Sequence, residues 1–146
     1  MSVDGEGVQI FTDGGARGNP GPAGIGCVIE YGSGATQHGT LIWEHGEYIG
    51  NTTNNQAEYR ALICALEKSL ELGHARVQCY LDSELLVKQL NREYRVKDAG
   101  LQVLYLKAYN LTQKFESIRF QHIRRELNRH ADRMVNAALD AHIQNS

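Results

Sequence analysis

A chain of 146 residues, 42% hydrophobic and 22% charged, can bury the core of one soluble domain without staples. No run approaches the ~20 apolar residues that span a bilayer, and the polar start Met1-Ser2-Val3-Asp4-Gly5-Glu6-Gly7 lacks the apolar stretch of a signal peptide. A net charge of −2 argues against a nucleic-acid binder held by general positive charge.

The whole chain, 1–146, is therefore expected to be one domain, with 1–7 a flexible leader. An alternating apolar run, Val8-Gln9-Ile10-Phe11-Thr12, reads as the first strand and ends on Asp13. The loop Asp13-Gly14-Gly15-Ala16-Arg17-Gly18-Asn19-Pro20-Gly21 holds four glycines, which lets its backbone approach a ligand closely. It leads into a second strand, Gly24 to Tyr31, whereas dinucleotide and Walker-type phosphate loops open a helix. Gly32-Ser33-Gly34 signals a hairpin turn, and Gln37 to Glu44 reads as a third strand, giving an antiparallel meander.

After Asn51-Thr52-Thr53-Asn54-Asn55, the apolar stripe Ala57, Ala61, Leu62, Ala65, Leu66, Leu70 predicts a helix that Gly73 stops. Val77 to Asp82 is a fourth strand, again ending in an acid, and Ser83 can cap a short helix from Glu84 to about Arg92. A polar, basic linker, 93–100, leads to a helix with Leu101, Leu104, Tyr105, Ala108, Leu111 and Phe115 on one face. Ile118 to Ile123 is a fifth strand. Asn128 is placed to cap a last helix whose inner stripe is Ala131, Met134, Val135, Ala138 and His142.

The order βββ-α-β-α-α-β-α predicts an α/β domain with one mixed five-stranded sheet, three antiparallel strands followed by two parallel ones. Strands reached through helices should lie parallel to the first by right-handed crossovers. If strands 1 and 4 are neighbours, the winding reverses between them, and open α/β sheets bind ligands at such a point. Asp13 and Asp82 would then stand side by side.

Cys27, Cys64 and Cys79 are far apart in sequence and form no C-x-x-C pair, so they are expected to be small core residues in a reducing, cytoplasmic setting. Two basic groups stand out: Lys88, Arg92, Arg95 and Lys97, and Arg119, Arg124, Arg125, Arg129 and Arg133. Solvated faces explain either group as well as a ligand does.

Each acid also has a local reading. Asn55-Gln56-Ala57-Glu58 has capping-box spacing, with Glu58 in the first helical turn. Asp132 follows an Asn cap, Asp82 can end a strand, and Asp13 can make an Asx turn. Taken together, four acids at element ends fit a shared metal site better, because crowded carboxylates stay ionised only when cations neutralise them.

Thr12-Asp13-Gly14-Gly15 with Gly18-Asn19-Pro20-Gly21, Thr52-Thr53-Asn54-Asn55-Gln56-Ala57-Glu58, Asp82-Ser83, and Arg125-Glu126-x-Asn128-x-x-Ala131-Asp132 resemble, in this order and spacing, a type 1 ribonuclease H. The resemblance runs from about Val8 to Ala141. It implies a ribonuclease H-like fold and an endonuclease that cuts the RNA strand of an RNA–DNA hybrid, leaving 5′-phosphate and 3′-hydroxyl ends. Asp13, Glu58, Asp82 and Asp132 match the family's catalytic, metal-binding carboxylates. In the family mechanism one Mg²⁺ helps activate the attacking water and a second stabilises the leaving oxygen. Mn²⁺ can stand in, since both ions accept oxygen ligands.

By the same resemblance, Asn19, Asn54, Asn55 and Glu58, with the backbone of Gly14 and Gly15, lie where the minor groove and its 2′-OH groups are read. Thr53 and Asn19 resemble a pocket for a DNA phosphate. Glu84 is a further candidate near the groove, while Arg125 and His130 are candidate auxiliary groups. Double-stranded RNA is a candidate second substrate, no membrane partner is expected, and the chain is expected to be a monomer. Two departures from well-studied bacterial relatives stand out. Residues 91–100 are too few for the basic helix and loop that grip the hybrid, leaving Arg92, Arg95 and Lys97 as partial substitutes. The loop Arg124-Arg125-Glu126-Leu127 lacks a histidine that some relatives use in proton transfer or product release.

Overall fold

The computed structural model describes residues 7–32 and 39–145. The elements are β1 (Val8–Ala16), β2 (Gly21–Tyr31), β3 (Thr40–Thr52), α1 (Asn54–Glu71), β4 (Arg76–Leu81), α2 (Glu84–Leu90), α3 (Ala99–Thr112), β5 (Ser117–His122) and α4 (Arg129–Gln144). Their order is the expected one. The leader up to Glu6 and the turn beyond Gly32 fall outside the described residues.

One five-stranded sheet runs β3-β2-β1-β4-β5. β1 pairs antiparallel with β2 and β2 with β3, while β4 lies parallel to both β1 and β5. Strands 1 and 4 are thus neighbours at the reversal of winding. Their parallel pairing ends at Thr12 and Leu81, so the next residue on each chain segment is an aspartate.

Two segments differ from expectation. β1 does not stop at Thr12: Asp13, Gly14, Gly15 and Ala16 pair in register with Gly26, Ile25, Gly24 and Ala23. The glycines that suggest a loop instead leave a strand backbone unencumbered, and the turn shrinks to 17–20. β3 likewise runs on to Thr52, because it follows the whole extended length of β2.

Helices α1, α2 and α3 cover one face of the sheet, and the principal core forms there from Ile10, Cys27, Ile29, Tyr59, Leu62, Leu66, Leu81 and Leu86, all 0% exposed. Fully burying each large apolar side chain contributes roughly 1.5–3 kcal/mol. Among the described residues, α4 alone covers the opposite face, over β1, β2 and β3. A smaller cluster of Phe11, Val28, Tyr80, Ile123 and Ala131 lies there, with the Phe11 and Tyr80 rings stacked 5.0 Å apart.

Both layers approach the sheet at glycines. A Cβ on Gly14 would sit 2.4 Å from the Ala57 carbonyl of α1, and one on Gly26 would sit 2.1 Å from the Ala131 carbonyl of α4. These two absences of a side chain bring both helix starts down onto the end of β1 that carries Asp13.

Candidate active site

Asp13, Glu58 and Asp82 come together at the carboxyl ends of β1 and β4, each offering an oxygen within 4.8 Å of the others. Asp13 is 7% and Glu58 8% exposed. The cleft above them has a volume of about 370 Å³, and Gly14, Gly15, Asn54, Arg125 and Asp132 share its wall.

Glu58 arrives by a different local structure from the expected capping box. Thr53 is the N-cap of α1, its Oγ1 accepting from the Gln56 amide at 3.2 Å. The helix therefore begins at Asn54, placing Glu58 beyond the first turn rather than at its cap. Its carboxylate is buried, and Oε2 has no hydrogen-bond partner. A capping role is thereby removed, and a buried oxygen is left to be satisfied by something else.

Asn128 is also unlike its expectation. It stands at the N-cap position of α4 but makes no side-chain cap. Instead its Nδ2 donates to Asp82 Oδ2 at 3.0 Å and to the Thr12 carbonyl at 2.9 Å, tying the ends of β1 and β4 to the start of α4. Residue type and spacing suggest only a cap, since a partner 46 positions away leaves no local signal.

Electrostatics follow from the crowding. Burial first, then the charges of Asp82 and Asp132 and a hydrogen bond to Asp132, push the Asp13 carboxyl up to about 8. Two carboxyl groups in hydrogen-bond contact need a proton between them. Burial, with Asp13 and Asp82 nearby, likewise raises Glu58 well above the carboxylate range, and Arg125 opposes that rise. This donor set is all oxygen, partly orphaned and costly to ionise without a cation. It fits hard divalent ions.

The other expected residues divide. Asn54 reaches the wall, with its Oδ1 accepting from the Ala16 amide at 2.7 Å. Asn19 Oδ1 accepts from the Asn54 amide at 3.0 Å, so the exposed turn is pinned to the start of α1. Thr53, Asn55 and Glu84 are not on the cleft wall; Thr53 caps, and Glu84 pairs with Lys88 at 3.1 Å. His130 is engaged by Glu44 of β3 and is likewise not on that wall. Two further residues on the wall, Arg17 and Asn136, escape the sequence reading. Asn136 Nδ2 donates to Asp132 Oδ2 at 3.4 Å, and Arg17 pairs with Asp140 at 2.8 Å. The i, i+4 spacing of Asp132, Asn136 and Asp140 is the signal that points to them.

Residues 11–138 match the family model described as Reverse transcriptase-like. A protein of Mycobacterium tuberculosis, Bifunctional protein Rv2228c, is 40% identical over 139 residues, covering 95% of this chain and 37% of that protein. The structure of RNase H1 from Halobacterium salinarum NRC-1 superposes with a TM-score of 0.86 at 39% identity, covering 92% of this chain and 98% of the other. LC11-RNase H1, solved in complex with an RNA/DNA hybrid, gives a TM-score of 0.84 at 42% identity, with 93% and 99% covered. The sheet order and these likenesses define a ribonuclease H fold. The chain belongs to the type 1 ribonuclease H family. It spans little more than a third of the length of the mycobacterial relatives.

Proposed function

We propose that this chain is a divalent-metal-dependent endoribonuclease that hydrolyses the RNA strand of RNA–DNA hybrids, leaving 5′-phosphate and 3′-hydroxyl ends. The observation that carries the reading is the trio of buried Asp13 and Glu58 with half-buried Asp82, and an unpartnered Glu58 oxygen, at the switch point of the sheet. Membership of the family and a relative solved with an RNA/DNA hybrid add to it.

Asp13, Glu58, Asp82 and Asp132 are the proposed ligands of two Mg²⁺ ions, with Mn²⁺ as substitute. Divalent ions held by these carboxylates would supply Lewis-acid stabilisation of the charge that develops at the reacting phosphate. The chain's own part is to hold four carboxylates where their charge is tolerable only with cations bound. Asn128 fixes the Asp82 carboxylate by donating to its Oδ2. Asn136 orients Asp132 from the next turn of α4.

Strand choice rests on the 2′-OH, the one group that separates RNA from DNA locally. Gly14, Gly15, Asn54 and Asn55 are the proposed readers of the groove, and Asn19 and Thr53 the proposed phosphate contacts. Arg125, exposed on the cleft wall, is the proposed auxiliary charge toward the phosphate. Double-stranded RNA presents the same 2′-OH, so it belongs in the assay. A monomer in the cytoplasm fits three unpaired cysteines, and among the described residues no helix is long and apolar enough to cross a membrane.

The test is cleavage of labelled hybrid, double-stranded RNA and double-stranded DNA in Mg²⁺ or Mn²⁺ by wild type, Asp13→Asn and Asp82→Asn. Each substitution is expected to lower the hybrid rate at least about a hundredfold. Wild-type rates surviving in both variants would overturn the assigned site.

A further inference from the structure

Among the described residues, two cations lie on the cleft wall, Arg17 and Arg125. Arg17 opens the 17–20 turn, and its backbone is fixed there. The Arg17 amide donates to the Pro22 carbonyl at 2.8 Å, and Asn19 Oδ1 ties the same turn to the Asn54 amide at 3.0 Å. The guanidinium reaches across to α4, where Nη2 meets Asp140 Oδ1 at 2.8 Å and Asn136 Oδ1 at 3.5 Å. Both contacts use the one nitrogen. Among the described residues Nη1 and Nε have no partner, which leaves most of the group's N–H donors unspent.

Stability does not account for this arrangement. The Arg17 and Asp140 side chains are 38% and 59% exposed, and an ion pair so open to water contributes little once its side-chain entropy is lost. What the pair does is hold the cation in place. Two acceptors on one nitrogen limit how the guanidinium can turn, and they keep its charge on the wall that also carries the carboxylates. Asp140 is not on that wall, so a polyanion lying in the cleft meets the cation ahead of its counter-ion. Charge-assisted hydrogen bonds from a guanidinium suit the oxygens of a phosphate.

We propose that Arg17 binds a phosphate of the RNA strand beside the one that is cut, using the N–H donors that α4 leaves free. The proposal rests on the reading of the cleft as a site that cuts hybrids. The strand lying over Asp13, Glu58 and Asp82 is then the strand that is cleaved. Arg17 shares their wall, so the phosphate within its reach belongs to that strand. The Asp140 and Asn136 contacts hold the guanidinium in place before substrate arrives, which reduces the ordering cost of binding.

The experiment measures hybrid affinity with Mg²⁺ across a potassium chloride series, in an Asp13→Asn parent that suppresses turnover. Adding Arg17→Gln is expected to lower the slope of log affinity against log salt by about one, as loss of one phosphate contact requires. Arg17→Lys should keep the parent slope, because it keeps the charge, while recovering only part of the affinity. In the enzyme with Asp13 intact, Arg17→Gln should raise KM at least about fivefold and leave kcat within about twofold. Neutral methylphosphonates walked through the DNA strand should leave the difference between parent and Arg17→Gln in place. An unchanged slope overturns the proposal. So does a fall in kcat with KM unchanged, which would make Arg17 a support for Asp132 through Asn136. A DNA-strand methylphosphonate that erases the difference overturns the contact to RNA. A parent protein that binds no hybrid overturns the functional reading of the cleft, and this contact with it.

Discussion

Asn128 precedes α4 yet spends its side chain on Asp82 and the Thr12 carbonyl, and it is 1% exposed. An amide suits this place because it donates to a carboxylate and adds no charge to a site already crowded with acids. Asn128→Asp exchanges the donor for an acceptor. It is expected to cost about 2 kcal/mol or more, since a buried carbonyl loses its partner and a further carboxylate joins the cluster. Chemical denaturation without metal reads this directly, and stability equal to wild type would remove Asn128 from its supporting role. Glu58 departs from its local pattern in a similar way. Its spacing after Asn55 reads as a cap, but Thr53 starts α1 earlier and frees that carboxylate for the cleft.

The elements meet at the site because they meet at glycines. Asp13 pairs with Gly26 and Gly26 with Gly46, a row over which α4 lies close. A Cβ on Gly46 would sit 2.6 Å from the Met134 carbonyl. Gly26→Ala forces α4 outward from a backbone carbonyl that has no rotamer to yield. Overpacking of this kind costs ~1–3 kcal/mol, and here α4 also carries Asp132 away from Asp13. The expected result is a lower melting temperature together with a loss of hybrid cleavage larger than the loss of folded fraction explains. Gly15→Ala is the control, since a Cβ placed there would meet nothing within 4 Å; it is expected to leave stability near wild type.

Across the whole molecule, the carboxylate cluster couples stability to pH and to metal. The Asp13 carboxyl is raised from 3.8 to about 8 in the folded, metal-free protein, so the folded state holds this proton more tightly than the unfolded chain. The stabilisation from that group is full below pH 3.8 and is lost as pH rises through about 8. Metal-free wild type is therefore expected to lose on the order of a few kcal/mol relative to Asp13→Asn over that interval. Divalent cation should restore the wild type at the alkaline end, where it no longer competes with protons. Melting curves with and without Mg²⁺ across pH test both halves. A constant difference between the two proteins would refute the linkage.

The chain's own pattern determined a great deal. Alternation marked five strands, i, i+3, i+4 stripes marked the helices, and acids at two strand ends marked the switch point. The motifs from Thr12 to Asp132 carried the family resemblance because their chemistry is local and their spacing is fixed. Other features were decided only by the folded chain. Whether Asp13 ends a strand or lies within one depends on β2 pairing beside it, which no window around Asp13 contains. Asn128 gains its buried partners from β1 and β4, and His130 is drawn to Glu44 of β3. The Cys27 thiol of β2 donates to the Ala61 carbonyl of α1 across a sheet–helix interface, 34 positions apart in number but adjacent in the core. Periodicity reports which side of an element faces inward. The partner it meets there is set by how the layers close.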